Sequence, residues 1–479
     1  MKAGNFALAE SKYRSDAIGQ ARVLVVANRL PITAVKEAGV LRIERSNGGL
    51  VSGLLQVARN WPLVWYGWNG MASDETEMRE SERWEGGSLI AVPLSDSDIN
   101  LFYRQYCNCV LWPMLHGFTD NVVAKRHDWQ RYVDVNQRYA DAILRDARPN
   151  DRVWVHDYHL FLVPELLRRR NPALPIAFFL HTPLPPLNVL QTVPHYRELM
   201  RGVLSADVVG FHTTEYMRAF LDAARHLGFA VSGDTVLVDN RIVRVKARPM
   251  GIDGDAFARL ATDPQILQDV ESIKSGDRRL MLGVDRLDYT KGIPERLLAF
   301  ELMLQEHGEL RGQVTFMQVA VPSRGDIAAY QDLRDVVESI VARINRRFGT
   351  GGWEPVEYLY DTVDLNTLVS LYRAADVLVV TAHRDGLNLV AKEFVATRAD
   401  GDGVLILSKF AGAAAELRAA LQVDPNQVRE IADAYRRALA MSPAERRVRM
   451  RQLRSAIAPN NVITWAREFL EGLPVVKPA

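Results

Sequence analysis

The stretch VLVVTAHRDGLNLVAKEF, residues 377–394, decides how the chain folds. It opens on VLVVTA, a short apolar run with the composition of a strand buried on both faces of a parallel sheet. Asp385 and Gly386 supply a turn, and from near Asn388 the pattern becomes helical. A buried strand that hands over directly to a helix is half of a βαβ unit. The free N–H groups at such a helix start can face a phosphate. Glu393 lies roughly one turn further in, within reach of the diol of a nucleotide ribose. Asp385 is placed to accept from sugar hydroxyls. A plainer reading gives Glu393 only a favourable place near the positive end of the helix dipole. Lys392 reads as a solvated side chain.

The same alternation recurs on both sides of this stretch. In the first half RVLVVANR, LIAVPL, RVWVHDYH, IAFFLHTP, DVVGFHT and IVRVKARPMGI read as strands, and in the second RLMLGVDR, VTFMQVAV, VEYLY and VLILS. Helical runs such as PERLLAFELMLQEH and AAYQDLRDVVESIVARINRRF separate them. Strand–helix alternation twice over predicts two α/β domains, with a boundary after ARPMGIDGDAF near residue 255. The tail, NVITWAREFLEGL, predicts an amphipathic helix after the Pro459-Asn460-Asn461 break. A chain of 479 residues is too long for one core, which agrees.

A formal net charge of +1 gives no broad field for nucleic acid or an acidic membrane, so any anion site must be local. No apolar run has the length of a membrane span or a signal-peptide core. Two cysteines, Cys107 and Cys109, make no disulfide framework. With no second ligand pair nearby, they read as strand alternation or ordinary packing. These features predict a cytoplasmic protein.

Polar residues gather at predicted strand ends: Asn28 and Arg29, His156 and Asp157, His181, His212, Arg286, Arg324, and Arg384 with Asp385. Open parallel sheets bind ligands there, because the loops leaving those ends converge on a crevice. In RLDYTKG, residues 286–292, Arg286 and Lys291 suit a diphosphate, and Gly292 permits a tight turn; a solvated surface turn is the alternative. In NGGLVSGL, residues 47–54, Gly48 and Gly49 precede a helical run without the GxGxxG spacing of dinucleotide enzymes. Asp96 and Asp98 mimic a metal-binding D-x-D, but Ser and Asp before a helix are the usual N-cap signal. DGDG at 400–403 lacks the other ligands of a calcium loop. Tyr103 and Trp112, in FYRQYCNCVLWP, can stack on a sugar or fill the core.

Twelve motifs then fall into the order of one known family. NRLP, NGGL, WYGWNG, FYRQYCNCVLWP, HDYHL, FFLHTPLP, GFHT, PMGID, DRLDYTKGIPER, PSRGD, RDGLNLVAKEF and LSKFAGAA lie between about residues 22 and 470. On these motifs the chain resembles the trehalose-6-phosphate synthases, retaining glycosyltransferases of the GT-B fold. The resemblance implies two Rossmann-like domains facing across a deep cleft. Residues 1–255 would bind the acceptor and 256–459 the nucleotide-sugar donor, with a C-terminal helix in 460–479 packing back on the first domain. Arg286 and Lys291 would hold the donor diphosphate, aided by the backbone of Gly48 and Gly49. Glu393 would take the ribose, and the backbone of Asn388, Leu389 and Val390 would face the donor sugar and phosphate. Asp385 would meet a donor hydroxyl, and His181 the donor glucose near its reacting face. Asp157 would hold the acceptor sugar. Arg29, Tyr103 and Arg324 would form the acceptor phosphate site, with Trp112 and Trp68 lining the acceptor pocket.

The implied reaction passes glucose from a nucleotide-glucose, UDP-glucose first, to glucose 6-phosphate with retention. No metal or cofactor is implied, and homo-oligomerisation is compatible with the family. YDTVDL with Val363 stands where the family often has an aromatic residue, so the donor base stays open among uracil, guanine and adenine. HTPLP replaces the commoner HIPFP, and the residues before Ala21 match no motif. Rival readings are a synthase using glycerol 3-phosphate or a cyclitol, a nucleotide-dependent oxidoreductase, and a non-catalytic sugar-phosphate sensor.

Overall fold

The computed structural model describes residues 21–37, 40–45, 49–58, 61–73, 81–84, 87–120, 122–274 and 276–474. Two large sheets organise them, beside a two-stranded antiparallel sheet of Ile32–Glu37 and Val40–Arg45. The first sheet runs, in space, Arg241–Ala247, Val208–Phe211, Ile176–Phe179, Arg152–His156, Val23–Arg29, Leu63–Trp68 and Gly87–Ala91, all parallel. Antiparallel strands extend both edges: Thr235–Val238 and Ala230–Ser232 at one, Ser81–Trp84 at the other. The second sheet is wholly parallel, in the order Val356–Leu359, Val314–Val321, Arg279–Arg286, Val377–Val380, Val404–Ser408, Leu421–Val423. In both, the chain starts in the middle, builds to one side, then returns to build on the other. This is the doubly wound Rossmann pattern, and its crevice lies where the winding reverses. The reversal falls between Val23–Arg29 and Arg152–His156 in the first sheet and between Arg279–Arg286 and Val377–Val380 in the second.

The apolar runs behave as the periodicity predicts. Val377–Val380 and Val404–Ser408 are buried throughout, because helices cover both faces of the sheet. Leu63–Trp68, LVWYGW, is a central strand that the sequence reading left unmarked, since its aromatic and glycine residues do not form an aliphatic run. The run IVRVKARPMGI is strand only to Ala247, then continues irregularly to the helix Gly254–Leu260. Cys107 and Cys109 sit on a helix, Ile99–Leu111, rather than a strand, and both thiols are unpaired. Ser95 caps the helix Asp96–Asp98 in a capping box with Asp98, as the N-cap signal predicts. Asp98 is further tied up by Arg131 and Arg138.

The chain crosses between the sheets twice, side by side. Asn460 donates to the Pro249 carbonyl at 2.6 Å. Beyond that crossing the C-terminal helix Val462–Leu470 packs on Gly49–Ala58 and on the first sheet, with Trp465 against Trp154 and Phe179. Among the described residues no helix is long and apolar enough to cross a membrane.

Candidate active site

The two reversal points face one another. Arg324 donates to the Tyr158 hydroxyl at 3.2 Å, and the Tyr216 hydroxyl donates to the Asp385 carbonyl at 3.1 Å. Arg104 pairs with Asp326, and Phe118 packs edge-on against Tyr289. At the closest approach, a Cβ on Gly386 would lie 1.8 Å from the His181 carbonyl oxygen. Only a residue without a side chain lets the two loops touch there.

On the second sheet, the opening stretch folds as read. Asn388, at φ 78°, caps the helix Leu389–Thr397 by accepting from the Ala391 N–H. Asp385 accepts from the Lys291 ammonium at 2.5 Å and from the Asn388 amide at 3.1 Å on the same oxygen. Burial pushes the Asp385 carboxyl up, but Lys291 outweighs it and the net shift is downward. Lys291 reaches this position because Gly292, at φ 61°, turns the chain so tightly that a Cβ would strike the Thr381 carbonyl. Glu393 accepts from the Tyr372 hydroxyl at 3.0 Å. Burial raises its carboxyl to about 7, since one hydroxyl compensates only part of the lost solvation. Leu389 and Val390 open the helix. Lys392 is not solvated: it is 1% exposed, pairs with Glu416 at 2.5 Å and donates to the Met250 carbonyl. A lysine on the buried side of a helix needs such partners, and no local sequence signal supplies them.

On the first sheet a wall of rings runs across the cleft. The Arg29 guanidinium lies 4.4 Å from the Trp68 ring, Tyr103 meets Trp68 edge-on, and Tyr103 stacks on His159. His159 contacts Tyr158, which contacts Trp112. Over Trp112 lies Arg324, at 4.1 Å and with φ 49°. Among the described residues, the buried donors Arg29 Nη1, Arg324 Nε and Trp112 Nε1 of this wall meet no acceptor, and His159 Nδ1 is likewise without a partner. Unmet buried donors are costly and rare, and they concentrate where a ligand supplies the acceptor.

Deeper lie Asp157 and the histidines. Asp157, at φ 72°, accepts from the His181 N–H at 3.2 Å, and burial pushes its carboxyl up to about 6. His181 Nε2 lies 3.0 Å from His156 Nδ1, and His212 packs on the other side. Burial drives all three imidazoles down, His181 to about 3, so they are neutral at ordinary pH. Gly49 begins its helix, while Gly48 lies outside the described residues.

Arg286, Lys291, Asp385, Asn388 and Glu393 thus share the second reversal point. Arg29, Trp68, Tyr103, Trp112, Asp157 and His181 share the first, with Arg324 reaching across. Sequence reading missed Asp288, Tyr158, Tyr330 and Tyr372. Asp288 and Tyr158 sit inside motifs already singled out, RLDYTKG and HDYHL, where an ionisable or hydroxyl side chain was visible. Tyr330 and Tyr372 lie within helices and carry no such signal. Among the described residues no group of three or more His, Cys, Asp or Glu is arranged to hold a metal ion.

Two doubly wound sheets meeting at a cleft lined by cations and rings define a nucleotide-sugar transferase of the GT-B type. The chain belongs to glycosyltransferase family 20, whose model matches residues 21–474. It is 40% identical over 466 residues to an α,α-trehalose-phosphate synthase [UDP-forming] 2 of Aspergillus fumigatus, covering 95% of this chain and 97% of that protein. It is also 40% identical over 472 residues to a bifunctional trehalose-6-phosphate synthase/phosphatase of Thermoproteus tenax, covering 96% of this chain but only 64% of that protein's length. Among solved structures it superposes with a TM-score of 0.87 on an α,α-trehalose-phosphate synthase (UDP-forming) from Burkholderia xenovorans in complex with glucose 6-phosphate. That match has 35% identity and covers 94% of this chain and 99% of the other. An E. coli trehalose-6-phosphate structure bound with UDP-2-fluoro glucose matches at 0.86, with 35% identity and the same coverage.

Proposed function

We infer that this chain transfers glucose from UDP-glucose to glucose 6-phosphate with retention, forming α,α-trehalose 6-phosphate and UDP. One observation supports the reading: cations stand at both reversal points, Arg286 with Lys291 at the second and Arg29 at the first, where Arg324 of the second sheet reaches across. The two substrates bring one diphosphate and one phosphate. In this reading residues 1–255 hold the acceptor and 256–459 the donor, with the C-terminal helix returning to the first domain; Arg324 is then a donor-domain residue reaching into the acceptor site. Glu393 takes the ribose diol, and the helix start at Asn388, Leu389 and Val390 faces the donor phosphate. The backbone of Gly48 and Gly49 completes the diphosphate site. Asp157 accepts from an acceptor sugar hydroxyl, and Asp385 from a donor hydroxyl. His181, neutral at working pH, offers a hydrogen bond to the donor glucose rather than a proton. The glucosyl–phosphate bond breaks as the acceptor oxygen bonds the anomeric carbon on the same face, and the acceptor proton goes to the leaving phosphate oxygen. The protein's part is positioning and charge stabilisation. Unpaired thiols support a reducing, cytoplasmic setting.

The test is nucleoside diphosphate release from UDP-, GDP- and ADP-glucose, with and without glucose 6-phosphate, and NMR of the product. UDP should appear only with acceptor present, and both anomeric protons of the product should show α couplings. Release independent of glucose 6-phosphate, or release supported instead by glycerol 3-phosphate, would contradict the reading.

A further inference from the structure

The carboxylate of Asp288 stands between the two anion sites and belongs to neither. It is fully buried. Its Oδ1 is fixed from below, accepting from the Thr290 N–H at 3.0 Å and the Thr290 hydroxyl at 2.9 Å. Its Oδ2 is shared by three groups: Arg324 Nη1 at 3.3 Å, the Tyr330 hydroxyl at 3.2 Å and Arg286 Nη2 at 3.7 Å. Tyr330 also accepts from Arg324 Nη1 at 2.5 Å. Both guanidiniums lie over the one Trp112 ring, at 5.3 and 4.1 Å, and Arg286 reaches Ser323, next to Arg324, at 3.5 Å. Burial pushes the Asp288 carboxyl up, but Arg324, Arg286 and Lys291 outweigh it and hold it at about 2.

We propose that Asp288 is a positioning residue that couples the two sites, so that a bound nucleoside diphosphate strengthens binding of a sugar phosphate and the reverse. The inference rests on the assignment of Arg286 to the diphosphate and Arg324 to the sugar phosphate. Arg286 is the looser of the two, with 42% of its side chain exposed against 7% for Arg324. A ligand that fixes one guanidinium against the shared oxygen and the shared indole removes part of the freedom the other would lose on binding its own ligand. Two anionic ligands by themselves repel, which would make each bind worse beside the other. Mutual strengthening must then come either from a direct contact between the two ligands, which Asp288→Asn leaves intact, or from a device common to both, and linkage makes it equal in either direction.

The experiment is calorimetric titration of glucose 6-phosphate into the protein, with and without saturating UDP, in the parent, Asp288→Asn and Tyr330→Phe. The parent should bind glucose 6-phosphate about fivefold or more tightly when UDP is present. Asp288→Asn keeps the shape but not the charge, and the gain should fall to one or below; Tyr330→Phe, which removes the hydroxyl between Arg324 and Asp288, should reduce it in part. A merely structural role would lower stability or either affinity without moving this ratio. A parent ratio at or below one overturns the inference, as does a parent-like ratio in both folded variants. If Asp288→Asn fails to fold, a parent-like ratio in Tyr330→Phe overturns it alone. Failure of the parent to bind either anion would overturn the proposed function, and the coupling with it.

Discussion

The Lys291 ammonium and the Asp385 carboxylate lie 2.5 Å apart across the reversal point of the second sheet. The pair presets both side chains before any donor arrives. Lys291→Met should leave Asp385 packed without its cation, lowering stability by about 1–3 kcal/mol. Nucleotide binding should weaken by about ten- to a hundredfold, as one charge-assisted contact predicts. Adding Asp385→Asn should recover much of the stability but none of the UDP affinity. Denaturant melts and titrations of the two single variants and the double variant check this; UDP affinity rising with stability would assign Lys291 a purely structural role.

If Glu393 takes the donor ribose, donor binding should depend on pH. Its carboxyl is raised to about 7, against 4.5 in an unfolded chain. Between those values the unfolded chain ionises while the folded protein holds its proton, so this group's contribution to stability falls as pH rises through that window. A ribose diol is accepted best by the ionised form. UDP-glucose, whose diphosphate does not titrate near neutrality, should therefore bind more tightly as pH rises through 7 and release a proton on binding. Glu393→Gln should flatten both trends. Titration in buffers of differing ionisation enthalpy reads the proton directly; unchanged proton release in the variant would place the titration elsewhere.

The ribose contact has a sharper check. Glu393→Gln should weaken nucleotide-glucose binding by about 1–3 kcal/mol. A 2′-deoxyribose donor should bind poorly to the parent but lose much less on going to the variant, because contacts to one partner are not additive. Equal losses for both donors would reduce Glu393 to a helix-start carboxylate.

Arg324 has an unmet Nε and a planar face on Trp112. Arg324→Lys keeps a charge near Asp288 but cannot fork onto a phosphate. Glucose 6-phosphate binding should weaken by about 1.5–3 kcal/mol, while UDP-glucose binding measured in the absence of acceptor changes less. Loss confined to the donor would mean the arginine serves the other site.

Gly386→Ala places a methyl group against the His181 carbonyl oxygen. The second-sheet loop must then back away from the first, which separates donor from acceptor by a fraction of an ångström or more. kcat/KM should fall about a hundredfold, with UDP affinity and melting temperature little changed. An equally large loss of UDP affinity would show that the alanine disturbs its own loop rather than the meeting of the two.

What the sequence determined alone is what repeats locally. Buried strands announce themselves by continuous β-branched runs, and a turn followed by a helix cap, as at Asp385 to Asn388, is written in adjacent residues. The order of motifs was enough to name a family. Tertiary structure decided what depends on approach between distant segments. Lys392 looked solvated because its partners, Glu416 and the Met250 carbonyl, lie far away in sequence. Leu63–Trp68 became a central strand because Val23–Arg29 lies beside it to pair with. Asp288 looked like one more charge in a turn, and it took the meeting of Arg286, Arg324 and Tyr330 on one oxygen to give it a task. Local pattern records which face of an element is apolar; it does not record which partner a buried charge will find, because that is set by packing across the cleft.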